Sequence, residues 1–228
     1  MTAKLHIVQD PLFAGFYSVS DAARLLGHDN NRRVRGWLSG YGETKGIIYK
    51  DFEDPDTVSF LDLIELHFVD FFRSLGVGLP TLRKISDRLR NEWETSHPFA
   101  VQGPKYITDR RNVFGDIATE SKDKRVYNAA TGQFEIWETL EGVIAKDIVF
   151  DPKTCVAKTW RPKPGYDNVI IDPRVAFGSP VVQDTVVPTS TLYSSWLAEQ
   201  SFEAVADWFV LTKEQVKDAV EFELALAA

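Results

Sequence analysis

Asn30, Asn31, Arg32, Arg33 and Arg35 fall within six consecutive residues, with Lys45 following a short way on. Arg pairs bidentately with guanine and Asn with adenine, and both also bind phosphate. That chemistry needs the side chains on the open side of a short helix that fits a major groove. The same pattern also suits a solvated helix in a bundle. Other candidate groups are less concentrated. His6, His28, His67 and His97 are scattered, with no metal-ligand spacing. Asp51, Glu53, Asp54 and Asp56 cluster beside Pro55, and a solvated acidic loop is the expectation. There is no Gly-rich phosphate loop and no nucleophile elbow. The expectation is no catalytic residue, no metal and no cofactor.

Helix signals surround the basic cluster. Ser18 and Asp21 have capping-box spacing. Val19, Ala22, Ala23 and Leu26 then share one face, and Gly27 suits a left-handed position at the helix end. Asp29 or Asn30 can cap a second helix with Val34, Trp37 and Leu38 inward, closed by Gly40. Two short helices joined by a glycine turn make a helix-turn-helix unit between about Tyr17 and Tyr41. Ile47, Ile48, Tyr49 and Phe52 suit a small hairpin or wing.

Ser59 and Asp62 form a second capping box. They open a long helix whose apolar stripe, Phe60 to Leu75, is too wide for a simple surface helix. Phe68, Phe71 and Phe72 belong to a core or a dimer seam, or less readily to a ligand pocket. Another helix follows from Thr81, with Leu82, Ile85, Leu89 and Trp93 inward and Arg83, Lys84, Arg88 and Arg90 expected outward. From 99 to 164 short β-leaning runs dominate: 105–108, 112–114, 133–137 and 147–150. Val143 and Ile144 suit one short helix there, and Arg161-Pro-Lys-Pro-Gly165 reads as a linker. Short strands at 169–171 and 181–182 precede three compact helices, the last opened by a Thr212/Gln215 capping box. The predicted class is mainly α with a β-rich middle segment. The expected divisions are 1–98, 99–164 and 165–228.

The 228 residues carry a net charge of -7. Ten acidic and three basic residues from Asp167 onward account for all of it, so the rest of the chain sums to zero. A nucleic-acid head needs only a local basic patch, because phosphate attraction is screened beyond about 10 Å. No apolar run reaches the roughly 18–20 residues of a membrane span, and a cytoplasmic location is expected. The single Cys155 allows no intramolecular disulfide, and a buried spectator role is expected for it. In the last segment Trp196, Val205, Phe209 and Leu224 are expected to form a small core that gains from pairing with a second copy.

Two resemblances extend this reading. The stretch from Ile171 to Pro188 resembles the domain of unknown function 433, through Gly178, Pro180, Val181, Thr185 and Pro188. Asp184 stands where that pattern usually has Gly, and Val186 where it has Arg. The N-terminal part is similar to proteins that join a MerR-like helix-turn-helix to a Ser59-Phe-Leu-Asp-Leu-Ile-Glu-Leu66 helix. They continue through a Gly76-Val-Gly-Leu-Pro-Thr-Leu-Arg83 turn and a His97-Pro-Phe-Ala100 element to that same domain. Such proteins are regarded as VapB-type antitoxins of type II toxin–antitoxin pairs. The resemblance implies a winged, MerR-like head and a homodimer that represses its own promoter. It further implies binding and neutralisation of a PIN-like ribonuclease toxin. The alternative expectation is a MerR-like regulator answering a small molecule held between 99 and 164.

Overall fold

In the computed structural model, the described residues are 14–102, 112–113, 116–117 and 147–227. The runs at 105–108 and 133–137, and the short helix at 143–144, lie outside them. Among the described residues the chain is mainly helical, with short antiparallel strand pairs.

Strand β1 (Tyr17–Ser18) pairs with β2 (Thr57–Val58), Tyr17 opposite Val58. Helix α1 (Val19–Leu25) starts where the Ser18 hydroxyl oxygen accepts from the Asp21 N–H at 3.0 Å. It ends at Gly27, whose φ of +77° is the left-handed conformation expected of it. Helix α2 (Arg32–Ser39) follows. Asn31 occupies its N-cap position without a side-chain cap, while the Asn30 side chain accepts from the Arg32 N–H. Val34, Trp37 and Leu38 face inward, and Gly40 closes the helix at φ +88°.

Helix α3 (Phe60–Ser74) has a complete capping box: the Ser59 oxygen accepts from the Asp62 N–H, and the Asp62 carboxylate accepts from the Ser59 N–H, each at 3.0 Å. Its wide apolar stripe is explained by its place at the centre. Phe60, Leu63, Ile64, Leu66 and Val69 are fully buried. Phe68 stacks on Phe99 with ring centroids 5.8 Å apart, and Phe72 also meets Phe99. These rings are core within the chain. Helix α4 (Leu79–Trp93) buries Leu82, Ile85, Leu89 and Trp93 as their spacing predicts.

Four sequence expectations need correction. Arg90 does not join Arg83 and Lys84 outside: it is 6% exposed and anchored from several sides. Asp51 is not simply a solvated loop carboxylate, since it pairs with a buried His97. Asn112 and Val113, read as β-leaning, are helical. Cys155 is not a buried side chain: it is half-buried, at φ +61° in the turn of a hairpin.

That hairpin joins β3 (Ile148–Phe150) to β4 (Ala157–Trp160), with an irregularity between Val149 and Phe150. Strand β5 (Val169–Ile170) pairs with β6 (Val181–Val182). Trp160 and Ile171 exchange backbone bonds across the linker-like stretch, so the hairpin continues onto β5. Helices α5 (Thr189–Glu199), α6 (Phe202–Phe209) and α7 (Lys213–Ala227) complete the chain. Ser201 caps α6, and Thr212 and Gln215 make the reciprocal box before α7. The main core runs from Tyr17 to Phe222; a second cluster holds Val182, Leu192, Val205, Val216, Ala219 and Val220. No helix among the described residues is long and apolar enough to cross a membrane.

Candidate functional site

The basic cluster lies on one exposed side of α2. With Val34, Trp37 and Leu38 turned inward, helical periodicity leaves Arg32, Arg33 and Arg35 outside. Asn30 and Lys45 are exposed as well. Asn31 is half-buried, and its amide donates to the Ser20 hydroxyl of α1 at 3.1 Å, which ties the two helices together. Arg35 meets Asp56 at 2.6 Å, both groups exposed. The side chains of Arg32, Arg33 and Lys45 have no ion pair among the described residues. An exposed pair such as Arg35–Asp56 contributes about 0–1 kcal/mol and exchanges readily for another anion.

The turn after α2 is held rigidly. Tyr41 and Thr44 bridge each other, and the Ile47 and Ile48 N–H groups both reach the Trp37 carbonyl. Glycines make this approach possible. A Cβ at Gly36 would stand 1.9 Å from the Tyr41 ring, and one at Gly40 would stand 1.8 Å from the Thr44 carbonyl oxygen. From the other side Arg83 donates to the Lys45 carbonyl at 3.1 Å. The turn therefore carries Lys45 at a fixed place beside α2.

Beneath the turn lies a buried polar cluster that the sequence reading missed. Arg90 stacks its guanidinium on the Tyr49 ring, 4.0 Å from the centroid. It donates to the Ile47 carbonyl, to the Ser96 carbonyl at 3.1 Å and to Asp87 at 3.0 Å. Glu65, fully buried, lies 3.8 Å from Arg90 and accepts from the Phe99 N–H at 2.6 Å. His97 meets Asp51 at 2.9 Å. The Ser59 hydroxyl donates to the other Asp51 oxygen at 2.6 Å. Burial pushes the carboxyls of Asp62 and Glu65 above their ordinary range, partly offset by His97 and, for Glu65, by Arg90. Burial opposes charge on His97, but Asp51, Glu65 and Asp62 together hold its pKa above the usual value. Burial also acts against ionisation of Asp51; its bonds from His97 and Ser59 outweigh that and lower its pKa. A signal for this cluster existed: Asp62 and Glu65 stand three apart inside an otherwise apolar run, where an ionisable group needs a partner.

Trp196 and Phe209 are partly buried against the second cluster, Val205 lies within it, and Leu224 is 44% exposed. Nearby, Trp208, Val210 and Val186 are strongly exposed.

Residues 169–222 match the family described as protein of unknown function (DUF433). Over 170 residues the chain is 25% identical to the protein named "Putative antitoxin VapB45" of Mycobacterium tuberculosis (strain ATCC 25618 / H37Rv), covering 71% of this chain and 70% of that protein. The fold is similar to the crystal structure of Rv2018 from Mycobacterium tuberculosis. The TM-score is 0.68 at 25% identity, over 90% of this chain and 96% of the other.

Proposed function

We propose that this chain is an antitoxin that represses its own operon by binding promoter DNA and neutralises a PIN-like ribonuclease toxin in the cytoplasm. The observation that carries the DNA-binding half is the row Asn30, Arg32, Arg33 and Arg35 on the open side of α2, beside a pinned turn bearing Lys45. The likeness to a protein named as an antitoxin supports the other half.

The proposed layout has three parts. Residues 1–98 form a winged, MerR-like helix-turn-helix head with its following helices. Residues 99–164 connect it to a C-terminal unit, 165–228. In this reading α2 enters the major groove, and Asn30, Asn31, Arg32, Arg33, Arg35 and Lys45 contact bases or phosphates. Two copies pair through the C-terminal helices, so that two heads meet half-sites separated by whole helical turns. Trp196, Val205, Phe209 and Leu224 build and flank that contact, and the exposed Trp208 and Val210 supply apolar area for a partner. The toxin carries the catalytic carboxylates and metal, and this chain adds no catalytic group.

Co-expression with the neighbouring small open reading frame tests the proposal. A stable complex and relief of growth inhibition are expected. If that neighbour is not toxic, or its toxicity is unrelieved, the antitoxin reading fails. If purified chain does not shift its own promoter DNA, the repressor reading fails separately.

A further inference from the structure

Three elements converge beneath the turn after α2: the loop carrying Asp51, the first turn of α3 carrying Asp62, and the segment after α4 carrying His97. One ligand atom from each lies within 4.8 Å of the other two. Asp62 and His97 are almost fully buried, at 0% and 3% exposure.

The hydrogen bonds leave a specific pair of atoms over. Both Asp51 oxygens accept, one from the Ser59 hydroxyl and one from His97 Nε2. An ionised carboxylate has no hydrogen to give, so Nε2 carries the proton. In the neutral ring Nδ1 then presents a bare lone pair. It faces Asp62 Oδ1 at 3.9 Å. The other Asp62 oxygen is occupied by the Ser59 and Asp51 N–H groups. Among the described residues, neither Nδ1 nor Oδ1 has a hydrogen-bond partner. Two lone pairs facing each other in a buried site repel unless something positive lies between them. A proton on Nδ1 gives an ion pair with Asp62, but 3.9 Å is too long for a hydrogen bond, so neither atom gains a direct partner that way. A metal cation can bond both: with bonds of about 2.0–2.2 Å at a tetrahedral angle it would draw the two atoms together by about 0.5 Å.

Charge points the same way. Asp51, Asp62 and Glu65 bring three carboxylates to this region, and Arg90, also shared with Asp87, returns one positive charge. With a neutral imidazole the cluster is short of positive charge. The His97–Asp51 bond is also the arrangement in which a carboxylate orients a metal-binding imidazole from its far side.

We propose that His97 Nδ1 and Asp62 Oδ1 bind one divalent transition-metal cation of the Zn2+ class, with Asp51 holding the imidazole in the metal-binding tautomer. The remaining coordination positions belong to water. The ion joins the loop after the α2 turn to α3 and to the segment leading into Phe99.

The test uses the full chain, stripped with chelator and then titrated with Zn2+ alone. The expected result is one Zn2+ retained per chain and a higher Tm. His97→Gln and Asp62→Asn should abolish both. Asp51→Asn changes a partly exposed side chain and should weaken binding about 10–100-fold without abolishing it. Cys155→Ser should bind as the unchanged chain does. Failure to retain Zn2+, or equal retention by folded His97→Gln, overturns the proposal. If both buried variants fail to fold, the ring-nitrogen NMR spectrum of the unmutated chain decides. A metal-induced shift of His97 Nδ1 supports the site, and an unmoved His97 overturns it.

Discussion

The Tyr17 hydroxyl donates a 2.8 Å hydrogen bond to the Gly178 carbonyl, joining residues 161 positions apart. The two backbones are locked at the same point by the bond from the Phe16 N–H to the Phe177 carbonyl. Gly178 sits at φ +86°, and a Cβ there would stand 2.4 Å from the Tyr17 oxygen and 3.0 Å from the Gly15 Cα. Burial and the nearby Asp172 raise the Tyr17 pKa, so the phenol stays protonated and the bond persists at every physiological pH.

Tyr17→Phe should therefore lower stability by about 1–2 kcal/mol, the cost of leaving a buried carbonyl without its donor. Gly178→Ala should cost more, because strain at positive φ adds to the clash. In the double variant the losses should fall short of their sum, since both act on one contact. Urea unfolding of the four proteins measures this; strict additivity would mean that the two residues act separately.

The basic row on α2 should show itself in salt dependence. Arg32→Ala, Arg33→Ala and Arg35→Ala combined should weaken promoter binding and flatten the slope of log K against log salt. Each lost phosphate contact removes about 0.9 from that slope. Arg35 should contribute least, since Asp56 competes for it at 2.6 Å. Gel shifts at several salt concentrations measure both quantities. An unchanged slope would remove α2 from the DNA surface.

Gly36→Ala separates turn position from helix formation. Alanine is the better helix former by about 1 kcal/mol, yet its Cβ would stand 1.9 Å from the Tyr41 ring. The ring must leave, taking with it the Tyr41 bond to the Arg32 carbonyl. The expected outcome is a folded protein with normal helix content, slightly lower Tm and reduced promoter affinity. Circular dichroism alongside gel shifts reads the two effects apart.

His67 should make the protein acid-sensitive. Its Nε2 is buried beside the Trp160 ring without a hydrogen-bond partner among the described residues, and burial lowers its pKa to about 4. A folded pKa below the unfolded value of about 6.5 means that the unfolded chain binds the extra proton between those two pH values. This group's effect thus lowers stability as pH falls from 6.5 towards 4. His67→Phe should recover up to about 2–3 kcal/mol of stability at pH 4.5 relative to the parent and little at pH 7.5. Chemical denaturation at the two pH values checks the sign.

Asp184 offers a gain. It is exposed, at φ +62°, where a residue with a Cβ is disfavoured by about 1 kcal/mol. The resembled pattern has glycine at this position. Asp184→Gly should raise stability by about 0.5–1 kcal/mol, with the β5–β6 pairing unchanged, as a small rise in Tm would show.

The sequence by itself determined the local elements. Ser18, Ser59 and Thr212 mark helix starts through side-chain bonds made within three residues. Gly27 and Gly40 mark ends through a conformation that few other residues adopt. Helical periodicity alone assigned Val34, Trp37 and Leu38 inward and the arginines of α2 outward. These are short-range effects, so neighbouring residue types suffice to fix them. Tertiary structure decided what depends on distant partners. Arg90 looked like another surface cation, because its own helix cannot reveal that Tyr49 and Glu65 wait for it. Asp51 looked solvated, because His97 lies 46 residues away in sequence and 2.9 Å away in space. The Arg/Asn cluster needed no such partner to be seen, since its exposure follows from one helix turn. The polar cluster beneath it exists only where three separate elements meet.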